Sequence, residues 1–208
     1  MKKFWDISPP VHADSPLFPG DTTYSQDWSA SITADCPVNV SRITFSPHTG
    51  AHADAPLHYD PQGVAVGMLE LEPFWGRCRV IHALQAGPLV QMSDLAHALR
   101  DIPPRVLVRT CHQFPVAHFD LQLTAFEADT IHALASLGIR LVGIDSASID
   151  PADSKTLPSH QAIRQRGVRV LENLMLDDVS EGDYELIALP LKLMTADASP
   201  VRAVLREL

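Results

Sequence analysis

Alternating apolar and polar side chains mark a strand with one buried face, whereas a short unbroken apolar run marks one buried on both. Both patterns occur in this chain. Residues 39–45 alternate and predict a strand. Residues 105–110 set Val106, Val108 and Thr110 against Leu107 and Arg109, which is too apolar for an exposed strand and predicts a central one, and residues 139–144 are almost wholly apolar. Between these two, residues 124–138 carry Ile131, Leu134 and Leu137 at helical spacing. Thr124 and Glu127 form a potential capping box, and Gly138 supplies a stop. The segment therefore reads strand, helix, strand.

The remaining elements are shorter. Residues 5–18 read as a brief strand and a Pro-rich crossing that ends in the turn-like run Phe18-Pro19-Gly20-Asp21. A turn at 70–75 leads into a β segment at 77–84, and residues 93–99 form a short helix that stops before Pro103 and Pro104. Ser159 is placed to cap a helix over 160–166, which Gly167 ends, and residues 168–171 return as a strand. Pro190 interrupts the apolar run 184–193 and assigns it to a sheet edge or a bulge. Residues 199–205 form a last strand.

Composition narrows the function. The 208 residues are 46% hydrophobic, enough for one domain with a substantial core, and no low-complexity linker divides residues 1–208. The net charge of −9 argues against nucleic acid and against an anionic membrane surface, leaving small molecules. Cys36, Cys78 and Cys111 are odd in number and lack metal-knuckle spacing, so they read as reduced core thiols. The first residues, Met-Lys-Lys-Phe-Trp-Asp, show no signal-like apolar run, and a cytoplasmic location is expected.

The chemistry concentrates in Ser46 to Asp60, which reads Ser-Pro-His-Thr-Gly-Ala-His-Ala-Asp-Ala-Pro-Leu-His-Tyr-Asp. His48, His52, Asp54 and His58 share one parity, so an extended chain would present them on one face, while Pro47, Pro56 and Pro61 argue against a helix. In a straight strand His48 and His52 would stand roughly 13 Å apart at about 3.3 Å per residue, too far to share an ion. The chain must bend, and Thr49-Gly50 is where it can. Farther on, a short helix from His160 followed by a returning strand of similar length brings His160 back beside Glu172. These six groups exceed what one tetrahedral zinc requires and suggest two ions bridged by carboxylates. His12, His82, His97, His112, His118 and His132 have no partner at ligand spacing and read as surface or packing residues, and Asp145, at a strand's carboxyl end, is open between a ligand-side role and a cap.

His48, Gly50, His52, Asp54, Pro56 and His58 resemble the His-x-Gly-Thr-His-x-Asp-x-Pro-x-His signature of the metal-dependent cyclase family. Ala51, where the general pattern has Thr, is similar to the bacterial kynurenine formamidase branch of that family. Phe18 to Asp21, Gly143 to Ser146, His160 and Glu172 extend the resemblance over the whole chain. It implies an α/β fold with a mixed, barrel-like sheet and peripheral helices, of the swivelling β/β/α type. It also implies two zinc ions: His48 and His52 on one, His160 on the other, Asp54 and Glu172 on both. His58 would be free to act as acid-base catalyst, and Phe18 would line the substrate pocket. The implied reaction is hydrolysis of the formamide of N-formyl-L-kynurenine to formate and L-kynurenine. The resemblance further implies a homodimer, for which the apolar segment 68–75 is a candidate interface. Another amidase, a cyclic-amide hydrolase or a lyase with the same metals is the alternative, ahead of a catalytically silent metal-binding module, because pocket residues rather than ligands choose the substrate.

Overall fold

The computed structural model describes residues 2–208. Its amino-terminal half contains strands β1 (Phe4–Asp6), β2 (Ser25–Ala30), β3 (Val40–Thr44) and β4 (His52–Asp54), then the one-turn helix α1 (Pro56–Tyr59) and strand β5 (Trp75–His82). Strand β6 (Leu89–Val90), helix α2 (Met92–Leu95), strands β7 (Arg105–Arg109) and β8 (Ala125–Phe126), helix α3 (Ala128–Ser136) and strand β9 (Leu141–Ile144) follow. Helix α4 (Pro158–Arg166) and strands β10 (Arg169–Glu172), β11 (Gly182–Ile187), β12 (Ala198–Pro200) and β13 (Val204–Glu207) complete the chain.

Nine strands make one sheet in the order β1, β13, β11, β5, β7, β9, β10, β4, β12. The central run from β5 through β7 and β9 to β10 is parallel, and both wings are antiparallel. The sheet curls into a half-barrel, which is the mixed architecture that the resemblance implies. Alternation along the central strands divides the core in two. Val106, Val108, Val142, Ile144 and Val170 pack with Ile131, Leu134 and Ile163 of α3 and α4, whereas Leu107, Leu141 and Leu171 face Ile7, Phe74, Leu186 and Leu205. Burial on both sides is why these strands read as apolar throughout. Among the described residues no helix is long and apolar enough to cross a membrane.

Several local expectations change. Helix α3 begins at Ala128 with Glu127 uncapped by any side chain, so Thr124 and Glu127 form no capping box; the chain at Ala125–Phe126 is instead drawn out to pair with β6. The short helix expected over 93–99 begins at Met92, where a capping box joins Gln91 and Asp94. Strand β11 ends at Ile187, before Pro190, and lies between β13 and β5, so the proline places nothing at an edge. The expected last strand is two: β12 pairs with β4 at one margin of the sheet, while β13 lies between β1 and β11 on the far wing. The predicted 39–45 strand exists as β3 but pairs only with β2 in an exposed ribbon.

His58 departs from the extended reading, because it lies in the helical turn α1. Pro56 opens that turn, a position at which a missing N–H costs nothing. The turn is clamped from outside: Leu57 N–H donates to the Val64 carbonyl at 3.2 Å, and a Cβ added at Gly63 would come within 2.3 Å of the Pro56 carbonyl carbon. Backbone cannot yield as a side-chain tip can. Gly63→Ala is therefore expected to destabilise the protein by about 1–3 kcal/mol, lowering Tm by about 2–4 °C per kcal/mol in a chain of this size. An unchanged melting temperature would show that the turn has slack.

Candidate metal centre

Strand β4 is buried along its whole length between β10 and β12. Its register sets Glu172 opposite His52 and Val170 opposite Asp54. A cross-strand pair of this kind brings side chains within contact whatever their separation in sequence, and His52 Nε2 lies 3.2 Å from Glu172 Oε2. The bend ahead of β4 falls at Gly50. Its φ of +71° favours glycine, and a Cβ at this position would stand 2.7 Å from Val11 Cγ2. The bend turns His48 back over the strand, with Nδ1 3.1 Å from Asp54 Oδ1 and the His48 and His52 rings 5.0 Å apart.

His160 arrives from the first turn of α4. The sequence assigns the cap of that helix to Ser159, but the cap is Asp150, which accepts from Ser159 N–H at 2.8 Å and His160 N–H at 3.0 Å. Ser159 Oγ instead donates to the Phe126 carbonyl. Asp150 also takes His160 Nδ1 at 2.7 Å, leaving Nε2 3.2 Å from Asp54 Oδ2 and 3.7 Å from Glu172 Oε1. The other end of the centre is equally fixed: Glu172 Oε1 accepts from Ile149 N–H at 2.7 Å, and His52 Nδ1 donates to the Gly50 carbonyl at 2.9 Å.

All five expected ligands, His48, His52, Asp54, His160 and Glu172, thus converge. What they converge on is legible in two orphaned atoms. His52 Nε2 and Asp54 Oδ1 are buried without a hydrogen-bond partner, although polar atoms lie 3.1–3.5 Å away, because those neighbours are out of line for a bond. Lone pairs that crowd one space without bonding one another are arranged as ligands are, and imidazole with carboxylate suits a divalent ion. Three overlapping groups, His48 with His52 and Asp54, Asp54 with His58 and His160, and His48 with His58 and Asp197, each keep one ligand atom per residue within 4.8 Å of the others. Asp54 belongs to two of them. His58 also belongs to two, so distance alone would let it ligate.

Electrostatics follow from burial opposed by pairing. Burial disfavours ionised Asp54, yet His160, His48 and His52 hold its carboxyl well below the usual range. Burial likewise opposes the charged rings, but Asp54 and Asp197 hold His48 up at about 9, and Asp150, Asp54 and Glu172 hold His160 up at about 10.

Of the centre, His48, His160 and Glu172 line a cavity of about 450 Å³, with His52 and Asp54 buried behind them. Phe18, half-exposed, lies on its wall edge-on to Phe119 with centroids 5.4 Å apart. Asp145 caps no helix: it accepts from the backbone N–H groups of Thr110 and Cys111 and from the Thr110 hydroxyl at 2.6–3.0 Å, so it anchors the loop that leads to Phe119 while also lining the cavity. Asp177 holds the same loop through Phe114 N–H. His12 and His118, read from sequence as surface or packing residues, are exposed and also line this cavity. Asp150, Asp197 and Phe119 gave no signal in the sequence.

Without metal, His48 and His160 carry protons whose folded-state affinity exceeds the ordinary 6.5. A raised pKa contributes stability that is complete below about 6.5 and is lost as pH rises through the folded value. The metal-free protein should therefore lose thermal stability from pH 7 to 10, and metal binding at pH 8 should release protons, since ligating imidazole is neutral. Melting curves with chelator and proton-release titrations check this; a metal-free Tm that rises over that range would contradict the pairing.

A family model described as putative cyclase matches residues 5–151. A kynurenine formamidase from Paracidovorax citrulli (strain AAC00-1) is 65% identical over 99% of this chain and 97% of its own length. One from Bordetella pertussis (strain Tohama I / ATCC BAA-589 / NCTC 13251) is 64% identical over 100% of both. A solved structure described as a potential metal-dependent hydrolase with cyclase activity superposes with a TM-score of 0.86 at 30% identity, covering 100% of this chain and 99% of that one. An isatin hydrolase bound to thioisatinate matches at 0.85 with 20% identity, covering 99% and 92%, and shares the fold. With its signature residues gathered around one buried strand and its relatives aligned from end to end, the chain belongs to the putative cyclase family.

Proposed function

We propose that this chain hydrolyses the formamide bond of N-formyl-L-kynurenine, with two zinc ions held by His48, His52, Asp54, His160 and Glu172. The observation that carries the reading is the pair of orphaned buried atoms, His52 Nε2 and Asp54 Oδ1, directly behind His48, His160 and Glu172, which line a cavity with an aromatic wall. Kynurenine formamidases at 64–65% identity support the same substrate.

His48 and His52 would hold one ion, His160 the other, and Asp54 with Glu172 both. When bound, such ions lower the pKa of water toward 7 and stabilise negative charge on a carbonyl oxygen. The chain's own residues do the rest. Phe18 offers an aromatic face and edge against which the anilide ring can stack. Addition of water to the formyl carbon and breakage of the C–N bond release formate and an arylamine, and the amine nitrogen must gain a proton as it leaves. His58 lines the cavity; it takes a proton from the attacking water as the water adds to the formyl carbon and returns that proton to the amine nitrogen as the C–N bond breaks. No serine or cysteine nucleophile is needed; the thiol in the cavity wall, Cys111, is pushed well above the ordinary range by burial and by Asp145 beside it.

The protein is read as a cytoplasmic homodimer. Met68, Leu71 and Trp75 are each more than half exposed, as is Trp28 on the β2–β3 ribbon, and these apolar surfaces suit a second copy. Sedimentation should give twice the chain mass at micromolar concentration, and a monomer would reject the dimer.

Activity is tested by hydrolysis of N-formyl-L-kynurenine with and without chelator, and two variants separate the roles. His58→Ala should keep its metal and lose about 10²- to 10⁴-fold in kcat, with activated formyl esters affected less because they need little protonation. Phe18→Ala should keep metal and raise KM more than it lowers kcat. Loss of metal from His58→Ala would make His58 a ligand, and an unchanged KM would leave Phe18 as a turn residue.

A further inference from the structure

Asp197 has no place in the ligand set, yet it touches two residues of the centre. It directly precedes β12, where Ala198 pairs with Asp54 across the sheet, and its carbonyl accepts from Ala55 N–H at 2.8 Å. Strand pairing and this bond hold its backbone beside the start of α1. Its Oδ2 then lies 3.0 Å from His48 Nε2 and 3.3 Å from His58 Nδ1, and those two rings are 4.4 Å apart.

One carboxylate oxygen between two imidazole nitrogens has a definite consequence. A carboxylate accepts and does not donate, so each ring must present an N–H to it. For His48 this places the proton on Nε2 and leaves the Nδ1 lone pair beside Asp54 Oδ1, 3.1 Å away. For His58 it places a proton on Nδ1 and leaves the Nε2 lone pair for the cavity, where it can take the proton of the attacking water and then pass it to the leaving amine. A ring nitrogen's role is commonly set in this way by the hydrogen bond its other nitrogen makes.

We propose that Asp197 is a positioning residue that couples the metal ligand His48 to the proton donor His58, fixing the tautomer and the orientation of both rings through one shared oxygen. The role of His58 in this proposal rests on the reading of the reaction given above. Asp197 acts through both histidines and does not itself touch substrate. Because the two rings share an acceptor, neither turns without weakening the hold on the other, which keeps the proton-donating nitrogen in register with the metal centre.

Two experiments test this. The first does not depend on any substrate: nitrogen-15 NMR of the metal-loaded protein at pH 8 should show His48 protonated on Nε2 and His58 on Nδ1, and Asp197→Ala should broaden or shift both. The opposite tautomer in either ring would overturn the proposal, even if the protein proved to hydrolyse something else. The second is kinetic. Asp197→Ala, at full metal occupancy, should lower kcat on the formamide about 10- to 100-fold with KM changed less than about twofold, and should spare activated formyl esters. Placed in His58→Ala, it should cause a smaller further loss than in the wild-type background, the remainder acting through His48. Metal stoichiometry that stays reduced at saturating metal would make Asp197 a ligand instead, and a fully additive loss in the double variant would make it merely structural. If the wild-type protein failed to hydrolyse N-formyl-L-kynurenine while both tautomers were as stated, the substrate assignment would fail and the positioning role would stand.

Discussion

The structure depends on keeping ionisable side chains in a buried strand. His52 and Asp54 occupy β4 in the interior, where an unsatisfied polar group costs about 1–3 kcal/mol and an unpaired charge more. The fold offsets that cost on every side except one. Gly50 accepts from His52, His160 donates toward Asp54, Ile149 donates to Glu172, and Asp150 restrains His160. The two atoms left without partners, His52 Nε2 and Asp54 Oδ1, are the ones a divalent ion would satisfy.

That constraint explains the sheet. To flank β4 on both sides, the chain pairs it with β10, which brings Glu172 opposite His52, and with β12, which brings Asp197 to the mouth of the centre. The parallel strands β7, β9 and β10 end on the same side of the molecule, the side where open α/β sheets present ligand sites. From these ends come the loop pinned by Asp145 and Asp177 and the segment carrying Asp150. The candidate ligands therefore sit on and beside paired strands and a capped helix, while the cavity wall is made from loops. Rigid placement of the centre and variable placement of wall residues suits a fold whose members differ in what they accept.

Charge at the centre follows from the same burial. The carboxylates there outnumber what neutral imidazoles can balance, so the metal-free site draws protons onto His48 and His160. A divalent ion would relieve this arrangement by replacing those protons, which would couple metal loading to both pH and stability.

Much of this was legible in the residues themselves. The parity of His52 and Asp54, the glycine at the bend and the prolines that forbid a long helix are local facts, and local backbone geometry obeys them. The central strands were readable because burial on both faces leaves a continuous apolar run. The pairing of His160 with Glu172 followed from the matching lengths of a helix and its returning strand. What the chain could not declare was register across distant strands. Asp197 stands 149 residues from His48, and nothing nearby distinguishes it from a solvated carboxylate until β12 pairs with β4. Asp150 looks like a turn residue until the helix behind it needs an acceptor, and Thr124 looks like a cap until the following residues are drawn into β8. His58 fits an extended run by parity, but Gly63 and Val64 fold it into a turn. Most of the candidate ligands were local in sequence because one strand and its approach carry them; their restraints were not, because hydrogen bonds across a sheet are set by tertiary pairing alone.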